Sequence, residues 1–139
     1  MEVVYYYDIE QKVAPVKNFF TQYGKNLNKE HTDSVMAQIK ARIDFTLDHN
    51  GQAIPPIAKT LRGYSFFEIM CQDGKTLIRI FYFCHNKKKL VLLNAIDKPA
   101  RYEKGQRKKT IKIIDEELII ADQYRKKFIQ CPNNYEEYE

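Results

Sequence analysis

The spacing of apolar residues changes along the chain and predicts where it forms strands and where it forms helices. The first apolar segment, EVVYYYDI, is rich in β-branched and aromatic residues and predicts a strand. Helical spacing then predicts a short helix over residues 15–24 and a longer one whose apolar stripe covers residues 35–47. The same spacing returns later and predicts a last helix over about residues 103–130.

Three strands between the second and third helices are predicted to form an antiparallel meander. Two of them, FFEIMCQ and KTLIRIFYF, flank or adjoin Asp73-Gly74, a dipeptide typical of two-residue hairpin turns. A second tight turn is predicted at Asn86-Lys87. The third strand, LVLLNAID, is apolar enough to be buried on both faces and ends before Pro99.

This order of elements predicts a small α+β domain. Its antiparallel sheet would contain the N-terminal strand and the three-strand meander, with two N-terminal helices and a C-terminal helix. We expect the helices to cover one face of the sheet and leave the other partly open. Residues 1–130 are predicted to form this single domain, and residues 131–139 an acidic, flexible tail.

Three polar residues of the meander are predicted to lie side by side. Two-residue turns at both positions place Arg79 between Glu68 and Asn94, all on one face because side chains alternate along a strand. This row is either a cross-strand salt bridge with an amide neighbour, or a site on the open face where Arg79 binds a phosphate through its planar guanidinium. The sequence leaves both interpretations open.

Positive charge is concentrated in the same part of the chain. The net charge is +5 over 139 residues, but residues 56–112 contain fourteen Lys or Arg and four Asp or Glu, a net charge of +10. Such a concentration favours a polyanionic partner, of which nucleic acid is the simplest. The alternative is a solvated, lysine-rich edge that discourages aggregation between strands.

Basic residues at both ends of the meander are candidate RNA contacts. Lys59 and Arg62 precede its first strand, and Lys98 and Arg101 follow or end its last. We expect these four side chains to rim one groove on the sheet, where cations attract a phosphate backbone.

Asn94 of the polar row is a further candidate RNA contact, and two more groups complete the candidate RNA-binding set. Tyr82 and Tyr102 are candidates for stacking on bases, as aromatic side chains do in proteins that bind single strands. The segment KGQRKK, which contains Lys104 and Arg107, either faces a nucleic-acid backbone or is a solvated helix start.

The composition argues against several classes of protein. Three widely spaced cysteines do not make a disulfide framework, and neither they nor the three histidines show metal-ligand spacing. The start MEVVYYYDIEQ carries acids and has no h-region typical of a signal peptide, so we expect no signal peptide, and no segment is apolar over the length of a bilayer. We therefore expect a cytoplasmic protein that uses no metal or other cofactor and contacts no membrane.

Four segments in succession resemble those of a known family. YYYDIEQKVAPVKNFF, AKTLRGYSFFEIM, LIRIFYF and LVLLNAIDKP, in this order and spacing, are similar to segments of the RelE/HigB superfamily of bacterial toxins, and most of all to its phage-derived, HigB-like members. The resemblance covers roughly residues 2–100 and, more loosely, the last helix. It implies a compact α+β fold like that of the microbial ribonucleases.

The resemblance also implies a function and partners. Toxins of this superfamily act as mRNA endoribonucleases, a class of hydrolase, usually on a message under translation in the ribosomal A site. The expected partners are mRNA, the ribosome and a helix-turn-helix antitoxin, with operator DNA contacted only through that antitoxin. Matched to the family, Arg79 would support the scissile phosphate, with Lys59 and Lys98 as further cations. The chemistry of RNA cleavage also needs a group for proton transfer, for which Glu68 is the candidate carboxylate and a lysine surrounded by other cations is the alternative.

The chain departs from the family pattern at three positions. Met70 stands where the family has Arg, Asn94 where it commonly has His, and Pro99 where it often has a second Lys. These departures keep two alternatives open. One is a ParE-like toxin that acts on gyrase, and the other is a catalytically inactive protein that binds an antitoxin or RNA.

Overall fold

In the part of the chain that the structure describes, residues 1–101 and 105–138, six strands form one sheet between two layers of helix. The structure is a computed structural model. The elements follow in the order β1 (Glu2–Tyr6), α1 (Pro15–Lys25), α2 (Lys29–Asp48), β2 (Ala58–Thr60), β3 (Phe67–Asp73), β4 (Thr76–His85), β5 (Lys89–Pro99), α3 (Arg107–Gln130) and β6 (Tyr135–Glu137). The α+β class and the order of the main elements, as predicted from the apolar pattern, are confirmed.

The helix boundaries follow local sequence signals. Pro15 opens α1, where a missing backbone N–H costs nothing. Asn28 caps α2, and its side-chain oxygen accepts a hydrogen bond from the His31 N–H at 2.8 Å. α3 begins at Arg107, four residues after the predicted start at Glu103, which lies outside the described residues.

The strands lie in the order β2-β3-β4-β5-β1-β6, and the sheet is mostly antiparallel. β1 is the exception, because it pairs with β5 in parallel. In the sheet, β5 therefore lies between β4 and the N-terminal strand β1. At the other end of the meander, β2 pairs with β3 and forms an edge of the sheet.

Helices cover both faces of the sheet, so the expectation of one open face is wrong. On one face α1 and α2 pack through residues such as Phe20 and Ile39 against Ile80 and Leu92. We call the other the α3 face; there Leu118, Ala121 and Phe128 of α3 pack against Phe81, Leu93 and other strand residues. The apolar β5 explains this cover, since a strand that is hydrophobic on both sides needs burial on both sides.

The first hairpin turns one residue later than predicted. Asp73 pairs with Thr76, so the two turn residues are Gly74 and Lys75. Gly74 has a φ of +59°, a conformation that glycine adopts without steric cost. The cross-strand partner of Glu68 is consequently Phe81, and that of Arg79 is Met70.

The second hairpin is one residue longer than predicted and contains a bulge. His85 pairs with Lys89 around residues 86–88, and the register shifts again between Phe81 and Tyr82. The longer turn alone would move Asn94 to the other face, because one residue of slip reverses a strand. The bulge shifts the register by one more residue, and Asn94 returns to the α3 face opposite Phe81.

Part of the segment predicted to be an acidic, flexible tail forms a strand. β6 pairs antiparallel with β1, and Glu136 accepts a hydrogen bond from Lys17 at 2.9 Å. β6 thereby supplies partners to the edge of β1, which would otherwise present unpaired backbone groups. The division into one domain and a tail otherwise stays a prediction.

Across the described stretches 1–101 and 105–138, the helices are all too short or too polar to pass through a lipid bilayer.

Candidate functional site

An ion-pair cluster lies across three neighbouring strands on the α3 face. Lys59 of β2 stands opposite Glu68 of β3, and its ammonium lies 3.3 Å from Glu68 Oε2. Arg79 of β4 donates from Nη1 to Glu68 Oε1 at 3.2 Å. The Glu68 side chain is 2% exposed, whereas the Lys59 side chain is 45% exposed. A buried carboxylate thus holds two cations, of which one reaches solvent.

The predicted row of Glu68, Arg79 and Asn94 is wrong in its register but right in its face. The observed cross-strand row is Lys59, Glu68, Phe81 and Asn94, and Arg79 lies diagonally from Glu68. Phe81 separates the carboxylate from the amide because both hairpin turns differ from the predicted ones. The ion pair survives because a long arginine side chain reaches a diagonal neighbour on the same face.

Asn94 is bound by α3. Its Nδ2 donates to the backbone oxygen of Glu117 at 3.2 Å and to Glu117 Oε2 at 3.0 Å. Asn94 is only 3% exposed, so its side-chain amide serves first as a contact between β5 and α3. Its expected role in RNA binding stays a prediction.

Three buried polar atoms on this face have no hydrogen-bond partner among the described residues: Glu68 Oε2, Arg79 Nε and Asn94 Oδ1. The Glu68 oxygen lies within ion-pair distance of Lys59 but without the geometry of a hydrogen bond. A buried polar group left unpaired costs about 1–3 kcal/mol, so proteins rarely keep several together. All three atoms lie on the α3 face, which makes this part of the sheet the candidate site for a polar ligand.

Lys98 lies on the same face, one cross-strand row beyond Arg79. It pairs with Leu77 of β4, whereas Arg79 pairs with Ile96. Side chains two residues apart on a strand point to the same side, so Lys98 and Arg79 are diagonal neighbours on the α3 face. The side chain of Lys98 is half-buried. Lys59, Arg79 and Lys98 therefore lie on one face, and the groove predicted to be rimmed by Lys59, Arg62, Lys98 and Arg101 stays a prediction.

The remaining predicted RNA contacts are not part of the ion-pair cluster. Arg62 is exposed in the turn after β2, Arg101 is exposed after β5, and Arg107 is exposed at the first residue of α3. Tyr102 and Lys104 lie outside the described residues. The stacking role of Tyr82 is wrong, because Tyr82 is fully buried on the α1/α2 face, where its hydroxyl donates to the Gly51 oxygen at 3.1 Å.

Two features of the site were not predicted from the sequence. The first is the position of Met70, already noted as a departure from the family pattern, directly opposite Arg79. Glu117 is the second, and its position carried a signal: it follows Ile114 by three residues and precedes Ala121 by four, in the middle of the apolar stripe. A carboxylate at such a position indicates a buried polar partner on the sheet.

The end of β3 is fixed by contacts with both N-terminal helices. Asp73 accepts a hydrogen bond from the Tyr23 hydroxyl of α1 and bonds to His31 Nε2 of α2 at 2.8 Å. The hydrogen bond from Tyr23 lowers the pKa of Asp73 most, and the bond to His31 lowers it further. Burial, and then the hydrogen bond to Asp73, raise the pKa of Tyr23. The cluster anchors the β3–β4 hairpin beside the site.

The described residues contain no group of three or more His, Cys, Asp or Glu side chains placed to hold a metal ion. The chemistry that the site supports is electrostatic. Three cations on one face, with a buried carboxylate that orients two of them, suit the binding of a phosphate group. Fold and site together define a small α+β domain with a candidate polyanion site on its sheet.

The chain matches the family described as Phage derived protein Gp49-like (DUF891) over residues 22–126. The match covers most of the chain, and the protein therefore belongs to the phage-derived Gp49-like family, which is associated with RelE/HigB-like toxins. No curated protein matches the chain.

Proposed function

We propose that this protein is the toxin of a type II toxin–antitoxin system and cleaves mRNA on the translating ribosome. Membership of the Gp49-like family supports the toxin assignment. The observation that carries the nuclease assignment is the buried Glu68 carboxylate, which orients Arg79 and Lys59 on a face where three buried polar atoms have no hydrogen-bond partner among the described residues. The HigB-like branch, the helix-turn-helix antitoxin and a cytoplasmic location are parts of this proposal.

The proposed reaction is cleavage by the RNA itself, assisted by cations. The 2′-oxygen attacks the adjacent phosphorus, a base takes its proton, and the 5′-oxygen leaves with a proton from an acid. Negative charge develops on the phosphoryl oxygens in the transition state, and Arg79, with Lys98 and Lys59 nearby, is positioned to stabilise it. No metal ion enters this scheme.

Glu68 has a positioning role in this proposal. Its carboxylate is bound to two cations and is nearly inaccessible to solvent, so it is placed to orient those cations rather than to contact the RNA. Its ion pairs instead hold the Arg79 guanidinium and the Lys59 ammonium on one side of the sheet. The ribosome would supply the remaining positioning of the substrate.

Expression without the antitoxin tests the proposal. Wild-type protein should arrest growth and shorten translated messages, while Arg79→Ala should relieve both effects. Arg125→Ala is the matched control, because Arg125 is also a partly buried, ion-paired arginine, bound to Asp122 on α3. Relief by both variants would point to instability, and circular dichroism of the purified proteins detects that outcome.

An inactive, antitoxin-binding protein is the second candidate. The position of Met70 opposite Arg79 favours an inactive protein, because the RelE/HigB toxins that the chain resembles have an arginine there. The engagement of Asn94 by Glu117 also favours it, because α3 then covers part of the face. Antitoxin binding without growth arrest or message cleavage by the wild type would select this candidate.

A further inference from the structure

A cleft of about 750 Å³ lies at the end of the sheet, outside the Lys59–Glu68–Arg79 cluster. Its walls are the β3–β4 turn, the end of β5 and the first turns of α3. The lining side chains with polar groups are Gln72, Lys75, Thr76, Arg101, Gln106 and Thr110. The volume is within the range of about 300–1,000 Å³ that small-molecule sites occupy.

The lining of the cleft selects an anion that also carries hydrogen-bonding groups. Two cations, Lys75 and Arg101, come from different walls, and none of the described lining residues is an Asp or Glu. The two glutamines offer both donors and acceptors, which the edge of a nucleobase can match. The Gln72 amide is held in place by the hydrogen bond from its Nε2 to the Gly74 oxygen at 2.9 Å. A nucleotide combines the required charge and hydrogen-bonding groups.

The start of α3 adds to the preference for an anion. Gln106 occupies the N-cap position without a side-chain capping bond, and the first turn of α3 contains no acidic residue. Backbone N–H groups at a helix start carry partial positive charge and lack intrahelical partners. Gln106 and Thr110, on either side of that turn, both line the cleft.

One lining residue of the cleft, Gln72, lies one cross-strand row from Arg79 on the α3 face. Gln72 is paired with Leu77, which is paired on its other side with Lys98, and this row adjoins the row of Met70 and Arg79. Adjacent rows on one face are two residues apart, or roughly 7 Å along the strand. That spacing is comparable to one nucleotide unit of an extended RNA strand.

We propose that the cleft binds the nucleotide adjacent to the scissile phosphate, with its phosphate on Lys75 and Arg101 and its base against Gln72 and Gln106. The position of this nucleotide next to a cleaved phosphate rests on the proposed function, whereas binding of a nucleotide in the cleft does not require cleavage. The base contacts would then favour some nucleotides beside the cut over others.

Nuclear magnetic resonance on the ¹⁵N-labelled full chain tests the inference. The four ribonucleoside 3′-monophosphates should shift the side-chain amide signals of Gln72 and Gln106, and inorganic phosphate should bind more weakly. Gln72→Ala combined with Gln106→Ala should weaken nucleotide binding about 5- to 150-fold, as expected for two neutral hydrogen bonds. The control, Gln52→Ala combined with Gln123→Ala, replaces exposed glutamines elsewhere and should bind as the wild type does.

Amide signals that stay in place, or inorganic phosphate that binds as tightly as the nucleotides, would overturn the inference. Sequencing of cut sites separates it from the proposed function. Nucleotide binding in the cleft without message cleavage would support the inference and contradict the proposed ribonuclease activity. Cleavage with the same flanking bases in wild type and double variant, and no amide shifts, would remove the inference alone.

Discussion

At the scale of single residues, the site depends on how a buried negative charge is compensated. A carboxylate that is 2% exposed, as in Glu68, is stable only beside cations, and Lys59 and Arg79 both lie within ion-pair distance. Arg79 in turn depends on Glu68, because the Arg79 side chain is only 13% exposed. The three residues therefore act as one unit, and a change in one affects the placement of the others.

Glu68→Gln should destabilise the fold. The neutral amide removes the charge that compensates Arg79 and Lys59 while it keeps the size of the side chain, and hydrogen bonds to charged groups contribute about 1.5–3 kcal/mol. Urea unfolding should show a loss of free energy of unfolding of about that size, whereas Glu116→Gln, at an exposed position of α3, should change little. Equal stability of the two variants would mean that the ion pairs contribute nothing net.

At the scale of elements, the β3–β4 hairpin and α3 set the geometry of the site. The hairpin is anchored to α1 and α2 through Asp73, and α3 is anchored to β5 through the bonds between Asn94 and Glu117. The face that carries Arg79 lies between these two anchors. Its shape therefore depends on contacts made outside the ion-pair cluster.

The anchor at Asp73 predicts a pH dependence of stability. Because the bonds from Tyr23 and His31 lower the pKa of folded Asp73, the unfolded chain takes up this proton at a higher pH than the folded protein. The stabilisation is complete above about pH 4, the range of an unfolded Asp, and is lost as the pH falls through the lower pKa of the folded state. The melting temperature of the wild type should thus fall more steeply below about pH 4 than that of Asp73→Asn.

Asp33→Asn is the control for that comparison, since Asp33 is exposed on α2. Its melting temperature should follow the wild-type slope. A slope for Asp73→Asn that equals the wild-type slope would show that the hairpin anchor does not depend on this charge.

The sequence predicted the elements and the shared face but not the register. Asp73-Gly74 marked the first hairpin, yet the turn uses Gly74 and Lys75 while Asp73 bonds to two helices far away in sequence. Glu68, Arg79 and Asn94 share the predicted face only because the three-residue turn and the bulge at Phe81 each shift the register by one. Such pairs of compensating irregularities depend on the packing of β4 and β5, which local spacing does not encode.

At the scale of the whole molecule, charge is distributed unevenly over the surface. The excess of residues 56–112 includes Arg79 and Lys98 on the α3 face and the exposed start of α3, from Arg107 through Lys109. A sheet face and a helix start of the same sign create a potential that attracts polyanions. The cover of α3 over this face could not be predicted, because an apolar stripe identifies a buried side without identifying the surface it packs on.

This distribution predicts how binding to single-stranded RNA responds to salt. Each phosphate contact on a single strand contributes about −0.7 to the slope of log K against log salt. Lys108→Ala combined with Lys109→Ala should therefore make the slope shallower by about 1.4 if both side chains contact phosphates. Lys25→Ala combined with Lys29→Ala, at exposed positions near the ends of α1 and α2, is the control. Equal slopes for the two double variants would mean that Lys108 and Lys109 contact solvent and not the phosphates of the RNA.

The central claim is that Arg79 stabilises the transition state of mRNA cleavage, and primer extension in a translating extract tests it most directly. Wild type and Arg125→Ala should produce the same cuts in a translated message at similar rates. Arg79→Ala, if folded by circular dichroism, should cut about 10²–10³ times more slowly, the usual cost of removing one such electrostatic contact. Cuts by folded Arg79→Ala at the wild-type rate would contradict the account, as would an intact message in the presence of the wild type.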